Sequence, residues 1–583
     1  MTGWFYPFVA RAREASALNV IFQRIWKYKF HYFLAFLPLM VLLILKFYPF
    51  LIGIRMAFVD FKPFYGLYGS EWAGWANFKA LFGLPEFGNV LTNTLAIKLS
   101  YLGVVGTLSL LLAAALSGIR SNALRNAFVV LFLIPYFIPS AVFADTAAYL
   151  LSPSQSILSA GDSFPLADPA SFRAVVYLLE TLKTCGIPVL LALTAIRAYR
   201  SRSLASGYRQ TSSFYPAFRA LVAFLLIQLS TILSTDFELI NRLNNPLVYA
   251  VGDTVDTFGF RIGFMNANYG MGSALWVFQF AVQLVFTLFA YCLVRKWFVR
   301  DLFAEGAAQA KPIPLSKAGE GAAGIESGSP GHNAIGIVAA SLYSAIVLFF
   351  LYFLFVHPFL RGEGGPGLSD VFPAAPFIIF LILYGAATVI GLMLILMLSY
   401  PLTVEKLPGR FLYKLLLLIG LTIGTGGTLH EFMVYREMVM INTLFPLLLN
   451  GIVALVSVFV LKSAFNAKYA SLKRQAEQEG RGEMRSFFLL FVPKVWKPLL
   501  GLGVLNFVGL WNSYIHSVIY LNDARLFPPV ARAVAISARA DVIAHPETLL
   551  QAGAIVSLPP VLLFLLLSRF LSSEVFLGAS RRL

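Results

Sequence analysis

Twelve stretches of this 583-residue chain are apolar over about the length needed to cross a bilayer. A helix must present about 20 apolar residues to span roughly 30 Å of hydrocarbon, because each residue advances it by about 1.5 Å. Six stretches lie at roughly 32–58, 93–118, 127–151, 173–196, 217–235 and 272–294. Six more lie at roughly 335–356, 374–400, 411–427, 442–462, 498–515 and 550–571. The composition agrees: 58% of residues are hydrophobic and 13% charged, where soluble domains carry about a quarter charged. The mean hydropathy of +0.76 is that of a chain solvated by lipid. The expectation is an all-α integral membrane protein of about twelve spans.

The stretches fall into two sets of six. Between them, Asp301–Asn333 is rich in Ala, Gly, Ser and Pro and has no apolar period. Such a segment buries too little surface to order itself and reads as a linker. The expected organisation is a first half at 1–300, a linker at 301–334 and a second half at 335–583.

The net charge of +17 sits in short loops rather than on one face. The loop at 197–219 carries Arg197, Arg200, Arg202, Arg209 and Arg219 and no acid. Lys462, Lys468, Lys473, Arg474, Arg481, Arg485, Lys494 and Lys497 share another. Alternate loops rich in Lys and Arg mark the cytoplasmic side, so both termini and the linker are expected there. The same placement argues against nucleic-acid binding and for contact with membrane lipid. Cys185 and Cys292 lie in apolar runs, and the six histidines are scattered. No metal site, cofactor site or catalytic group is expected from them.

Charged residues inside hydrocarbon each need a reason. Glu180 and Lys183, three apart on one helix face, are expected to pair with each other, in preference to a role in meeting substrate. Asp145 is expected to be solvated near a span end, and Lys98 and Arg55 to snorkel outward. Lys46 precedes Pro49, where a bent helix can open onto water.

Several segments, in order, carry a resemblance. Trp75–Phe82 (W-A-N-F-K-A-L-F), Leu91–Leu95 (L-T-N-T-L) and Asn245–Gly263 fall in the first half. Tyr400–Arg410 (Y-P-L with L-P-G-R), Asn442-Thr443-Leu444 and Trp511–Asp523 fall in the second. Together they resemble the paired permeases of maltose-type bacterial carbohydrate importers, in the oligosaccharide and polysaccharide branch, with the two partners fused. The resemblance implies the type I ABC importer transmembrane fold in the bacterial plasma membrane. It also implies an ATP-binding cassette ATPase dimer, an extracellular solute-binding lipoprotein and a carbohydrate substrate. No Walker A pattern occurs, so ATP would be used by the partner subunit.

Such importers carry a cytoplasmic loop, E-A-A-x-x-D-G-A, that docks on the ATPase. In the second half Arg474–Arg481 stands there, with Ala476, Glu479 and Gly480 fitting and Pro493 thirteen residues beyond the glycine. The first-half equivalent, Arg197–Pro216, keeps only Gly207 and Pro216. Trp511 and Asn512 are the residues expected on the substrate path. A major-facilitator transporter would show a Gly-Asp-Arg pattern after its second span, where this chain has Ile119–Arg125 (I-R-S-N-A-L-R). A worn first-half loop also suits a permease-like scaffold or sensor that no longer transports.

Overall fold

A computed structural model describes residues 25–152, 164–205, 213–298, 330–361, 372–404, 407–423, 427–452, 454–573 and 575–576. Among them the chain is helical, apart from one two-stranded hairpin pairing Val59–Asp60 with Glu71–Trp72. Seven helices are long and apolar enough to cross a membrane: Lys29–Ala57, Pro85–Gly118, Tyr269–Phe298, Gly331–Phe355, Ala374–Thr403, Glu483–Asn512 and Pro546–Phe570. Three further crossings are bent pairs: Asn122–Phe137 with Ser140–Leu151, Phe172–Thr184 with Gly186–Ser201, and Arg410–Ile423 with Thr428–Glu437. The fifth and tenth apolar runs are the shorter helices Phe214–Leu229 and Leu455–Asn466.

The bends follow from proline chemistry. Pro139 has no N–H to continue the ladder, and the residue before it, Ile138, is extended at φ −76 and ψ 133. The helix axis turns by 97° there. Pro188 likewise leaves the Thr184 carbonyl without its helical donor, beside the 49° bend at Cys185. In the opening helix Pro49 is accommodated differently, by the five-residue π turn Leu43–Phe47 just before it.

Three sequence expectations need correction. Residues 330–334, expected in the linker, belong to the helix Pro330–Phe355; residues 299–329 lie outside the described residues. The run expected at 442–462 is a short helix, Phe445–Asn450, followed by Leu455–Gln478, which continues well past its apolar part. The span expected at 498–515 starts at Glu483, because Phe487–Phe491 extends its apolar length as a π turn.

Both halves are interlocked. The helix Pro330–Phe355, which opens the second half, packs along Pro85–Gly118 of the first, and Lys29–Leu42 packs along Ala374–Ser399 of the second. The first of these crossings is very close: a Cβ on Gly336 would lie 2.4 Å from the Ala115 carbonyl, and one on Gly118 would lie 2.9 Å from that of His332. Small residues permit such approach in lipid, where van der Waals packing drives helix association. Opposite faces stay open to hydrocarbon: Phe33, Phe36, Leu37, Met40 and Ile44 form an exposed apolar stripe on the first helix.

Several of the recognised segments prove to be ties between loops. Asn77 Nδ2 donates to the carbonyls of Ala57 and Val59 at 3.1 and 2.9 Å. Asn93 Nδ2 donates to those of Ala250 and Asp253, both at 3.1 Å. Asn442, left-handed at φ 62, accepts through Oδ1 from the N–H groups of Asn522 and Asp523, both at 3.1 Å.

Candidate functional site

A cavity of about 600 Å³ lies between the two halves. That is the size of a site for a small organic ligand. The first half contributes Lys46, Tyr136, Ser140, Glu180, Lys183, Asp236, Glu238, Asp256, Trp276 and Gln279 to its wall. From the second half come Tyr384, Asn506, Asn512, Ser513 and His516. The wall therefore mixes aromatic faces with carboxylates, amides and hydroxyls.

Lys183 does not pair with Glu180, as their spacing predicted. Its Nζ lies 2.6 Å from Asp236 Oδ2 and donates to the Ser140 hydroxyl as well, while Ser140 donates to Asp236 at 2.9 Å. Asp236 is the N-cap of Phe237–Leu243, its other oxygen accepting from the Leu239 N–H, and from there it out-competes the helical neighbour. Both carboxylate oxygens of Glu180 are buried without a hydrogen-bond partner.

Lys46 reaches the cavity, but from the π turn Leu43–Phe47 of an unbroken helix rather than from a bend at Pro49. It forms an ion pair of 2.6 Å with Glu431 of the second half, whose Oε2 also accepts from the Tyr520 hydroxyl at 3.4 Å. Lys98 does not snorkel outward; it is fully buried, 5.4 Å from the Tyr101 ring centroid. Asp145 is not left to solvent but pairs with Arg242 at 2.5 Å. Arg55 stays at the periphery, 4.5 Å over the Tyr68 ring.

A second bond across the halves comes from Glu238. Its Oε1 accepts from the Ser513 hydroxyl at 2.9 Å and from the backbone N–H groups of Tyr514 and Ile515 at 2.9 and 3.1 Å. Asn512 lines the cavity and donates to the Phe137 carbonyl at 3.1 Å, an oxygen freed where Pro139 breaks the helix.

Trp511 departs from expectation. It is 1% exposed, donates its indole N–H to the Val556 carbonyl at 2.8 Å and packs against Phe377 and Phe507 rather than the cavity wall. Trp511→Phe is expected to lose about 1–3 kcal/mol through the orphaned carbonyl and lost contacts. Asn512→Ala is expected to alter substrate affinity more than stability. Melting temperature in detergent and the concentration dependence of uptake separate the two, and the reverse pattern would return Trp511 to the path.

Sequence reasoning passed over Asp236, Glu238 and Asp256 because they sit in a segment read as external loop. It also passed over Gln279 and Asn506, although an amide in an apolar run costs enough to merit the scrutiny given to charges. Gln279 Nε2 donates to Asp256 Oδ1 at 2.8 Å, which binds this wall into one network.

The second-half loop forms a helical hairpin. Leu455–Gln478 ends with Gly480 at φ +70, and the Arg481 N–H reaches back to the Ala476 carbonyl at 3.0 Å. This is a Schellman-type ending, in which glycine takes the left-handed position without a Cβ penalty. Ala476 is buried against the body, whereas Glu479 and Arg481 are exposed and 2.8 Å apart. The returning helix begins at Glu483 and contains Pro493 in the first turn of Val492–Asn512.

At the hairpin's base, Tyr400 donates to Glu483 Oε2 at 2.6 Å, and Lys473 lies 4.4 Å from the Tyr400 ring centroid. His31, from the first half, stacks on Tyr400 with centroids 5.1 Å apart and planes 2° from parallel. In the first half Pro216 is buried in Phe214–Leu229, and Gly207 lies outside the described residues.

No family model matches the chain. Protein LplB of Bacillus subtilis (strain 168) is 24% identical over 291 residues, which are 47% of this chain and 91% of that protein. The polygalacturonan/rhamnogalacturonan transport system permease protein YteP of the same organism is 26% identical over 271 residues, 44% of this chain and 84% of its own. A crystal structure of a bacterial ABC transporter involved in the import of the acidic polysaccharide alginate matches at 25% identity and a TM-score of 0.41, over 48% of this chain and 99% of that one. Permease components of carbohydrate transport systems are thus among the proteins this chain is similar to, and its membrane-length helices enclose a polar cavity.

Proposed function

We propose that this chain is both permease halves of a carbohydrate importer, fused through the segment that ends at residue 329, and that its central cavity is the translocation path. The observation that carries the reading is the cavity itself, walled by both halves and closed across them by Lys46–Glu431 and by Glu238 on Tyr514 and Ile515. Matches that use most of a relative's length and under half of this chain support two permease lengths in one polypeptide.

On this reading the chain crosses the bacterial plasma membrane twelve times with both termini and the linker in the cytoplasm. The carbohydrate arrives from an extracellular solute-binding lipoprotein. A separate ATP-binding cassette ATPase dimer hydrolyses ATP, and the chain itself makes and breaks no bond and holds no cofactor. Aromatic faces such as Tyr136, Trp276 and Tyr384 suit the apolar faces of sugar rings, and the surrounding amides and carboxylates suit their hydroxyls.

Ala476, Glu479, Gly480 and Pro493 form the ATPase-docking hairpin, and Gly207 and Pro216 mark its worn counterpart. Rigid-body movement of such a knob transmits ATPase closure to the spans. Gly480→Val is expected to force a β-branched residue into the left-handed region, costing about 1–2 kcal/mol locally. The chain should remain monodisperse while co-purification with the ATPase falls at least tenfold. Undiminished co-purification would remove the hairpin from the interface.

The reading as a whole is tested by reconstituting the chain with its ATPase and binding protein in liposomes. Labelled oligosaccharide should accumulate only with ATP. Uptake driven by an ion gradient without the ATPase would show a different class of transporter. Membrane-impermeant labelling should reach residues 470–490 only from the cytoplasmic side.

A further inference from the structure

Resting on the carbohydrate reading, the cavity's own chemistry narrows the substrate. Its wall carries the carboxylates Glu180, Asp236, Glu238 and Asp256 against the lysines Lys46 and Lys183. Both lysines are already committed, to Glu431 and Asp236 respectively, at 2.6 Å. Asp256 takes the Thr235 N–H at 2.9 Å and the Gln279 amide at 2.8 Å, and Glu238 takes three donors. Glu180 is different. It is 1% exposed, on the wall, and neither of its oxygens has a hydrogen-bond partner.

The cations whose field reaches Glu180 are Lys98 and Lys183, and Asp236 opposes them. Across the cavity, Asn506 is 3% exposed with both amide atoms unpartnered, and Asn512 keeps a free Oδ1. Native proteins seldom bury polar atoms without partners, and groups left so at a cavity wall are the ones a ligand completes. Here the unfilled positions are mostly acceptors: two carboxylate oxygens and two amide oxygens against one amide NH2. A ligand that completes them must be rich in donors. A uronate polymer would bring acceptors and negative charge to a wall that already has an excess of both, and desolvated like charges repel strongly at this range.

We propose that the cavity takes an oligosaccharide bearing a protonated amine, with the ammonium group on Glu180 and ring hydroxyls on Asn506 and Asn512. Specificity comes from Glu180, since a site built for a charged donor penalises a ligand that leaves the carboxylate unpaired.

Three trisaccharides of one size serve as probes of the full chain in nanodiscs, read by the quenching of tryptophan fluorescence: glucosamine, N-acetylglucosamine and galacturonate trimers. The glucosamine trimer is expected to bind at least tenfold more tightly than the N-acetylated trimer, and the galacturonate trimer to bind weakest. Glu180→Gln, which keeps the shape and removes the charge, is expected to bring the first two within about twofold, and Asn506→Ala to weaken both alike. Equal binding of the amine and acetamide trimers by the parent chain, or a preference for galacturonate, would overturn the assignment while leaving carbohydrate transport intact. Failure of all three to bind would overturn it together with the carbohydrate reading beneath it.

Discussion

Lys46→Leu is expected to cost about 3–5 kcal/mol of stability, because it leaves the Glu431 carboxylate charged, nearly buried and unpaired. Glu431 retains only 9% of its side-chain exposure, and its other neighbour, the Tyr520 hydroxyl, supplies a long bond of 3.4 Å. Glu431→Leu should cost less, since Lys46 is 18% exposed and faces the cavity, where water can solvate an unpaired ammonium. The double leucine variant should regain most of the loss, as replacing both members of a buried pair by apolar groups is often close to neutral. Melting temperatures in one detergent close the double-mutant cycle. If both single variants melt with the parent, the pair does not join the halves.

Glu238→Ala is expected to lose about 2–4 kcal/mol, because the Ser513 hydroxyl and two backbone N–H groups lose one shared acceptor. Glu238→Gln retains an oxygen at that place and should keep most of the stability, although its bonds are no longer charge-assisted. Uptake should fall further than stability in the alanine variant, since Ser513 and His516 form part of the cavity wall and are bonded to each other at 2.8 Å. A Gln variant as damaged as the Ala variant would mean that charge, not the acceptor position, is what the contact supplies.

Most of the spans were legible because lipid imposes a length rule: seven runs stand as helices long enough to cross and three more as bent pairs, whereas the fifth and tenth are shorter helices. Bends were partly legible: Pro49 was visible as a possible opening, and Pro139 is the cause of the 97° turn, but its angle depends on what packs behind it. The site was less legible. Spacing along one helix paired Glu180 with Lys183, whereas the partner that wins, Asp236, is brought in by another element 53 residues away. Trp511 looked like a sugar platform by type and position, yet the Val556 carbonyl and neighbouring rings claim it. Asn506 carried a readable signal, a polar amide within an apolar run, but its half of the cavity exists only once the two bundles meet.

The stack at the foot of the second-half hairpin has a mechanical consequence. Tyr400 is gripped on one edge by Glu483 of the hairpin and covered on one face by His31, which belongs to the helix Lys29–Leu42. A stroke applied to that hairpin is thus felt at once by both bundles, through a flat aromatic joint that resists compression and permits sliding. On the docking proposed above, this one joint links the hairpin to both bundles without involving the first-half loop, which keeps only Gly207 and Pro216 of the sequence pattern.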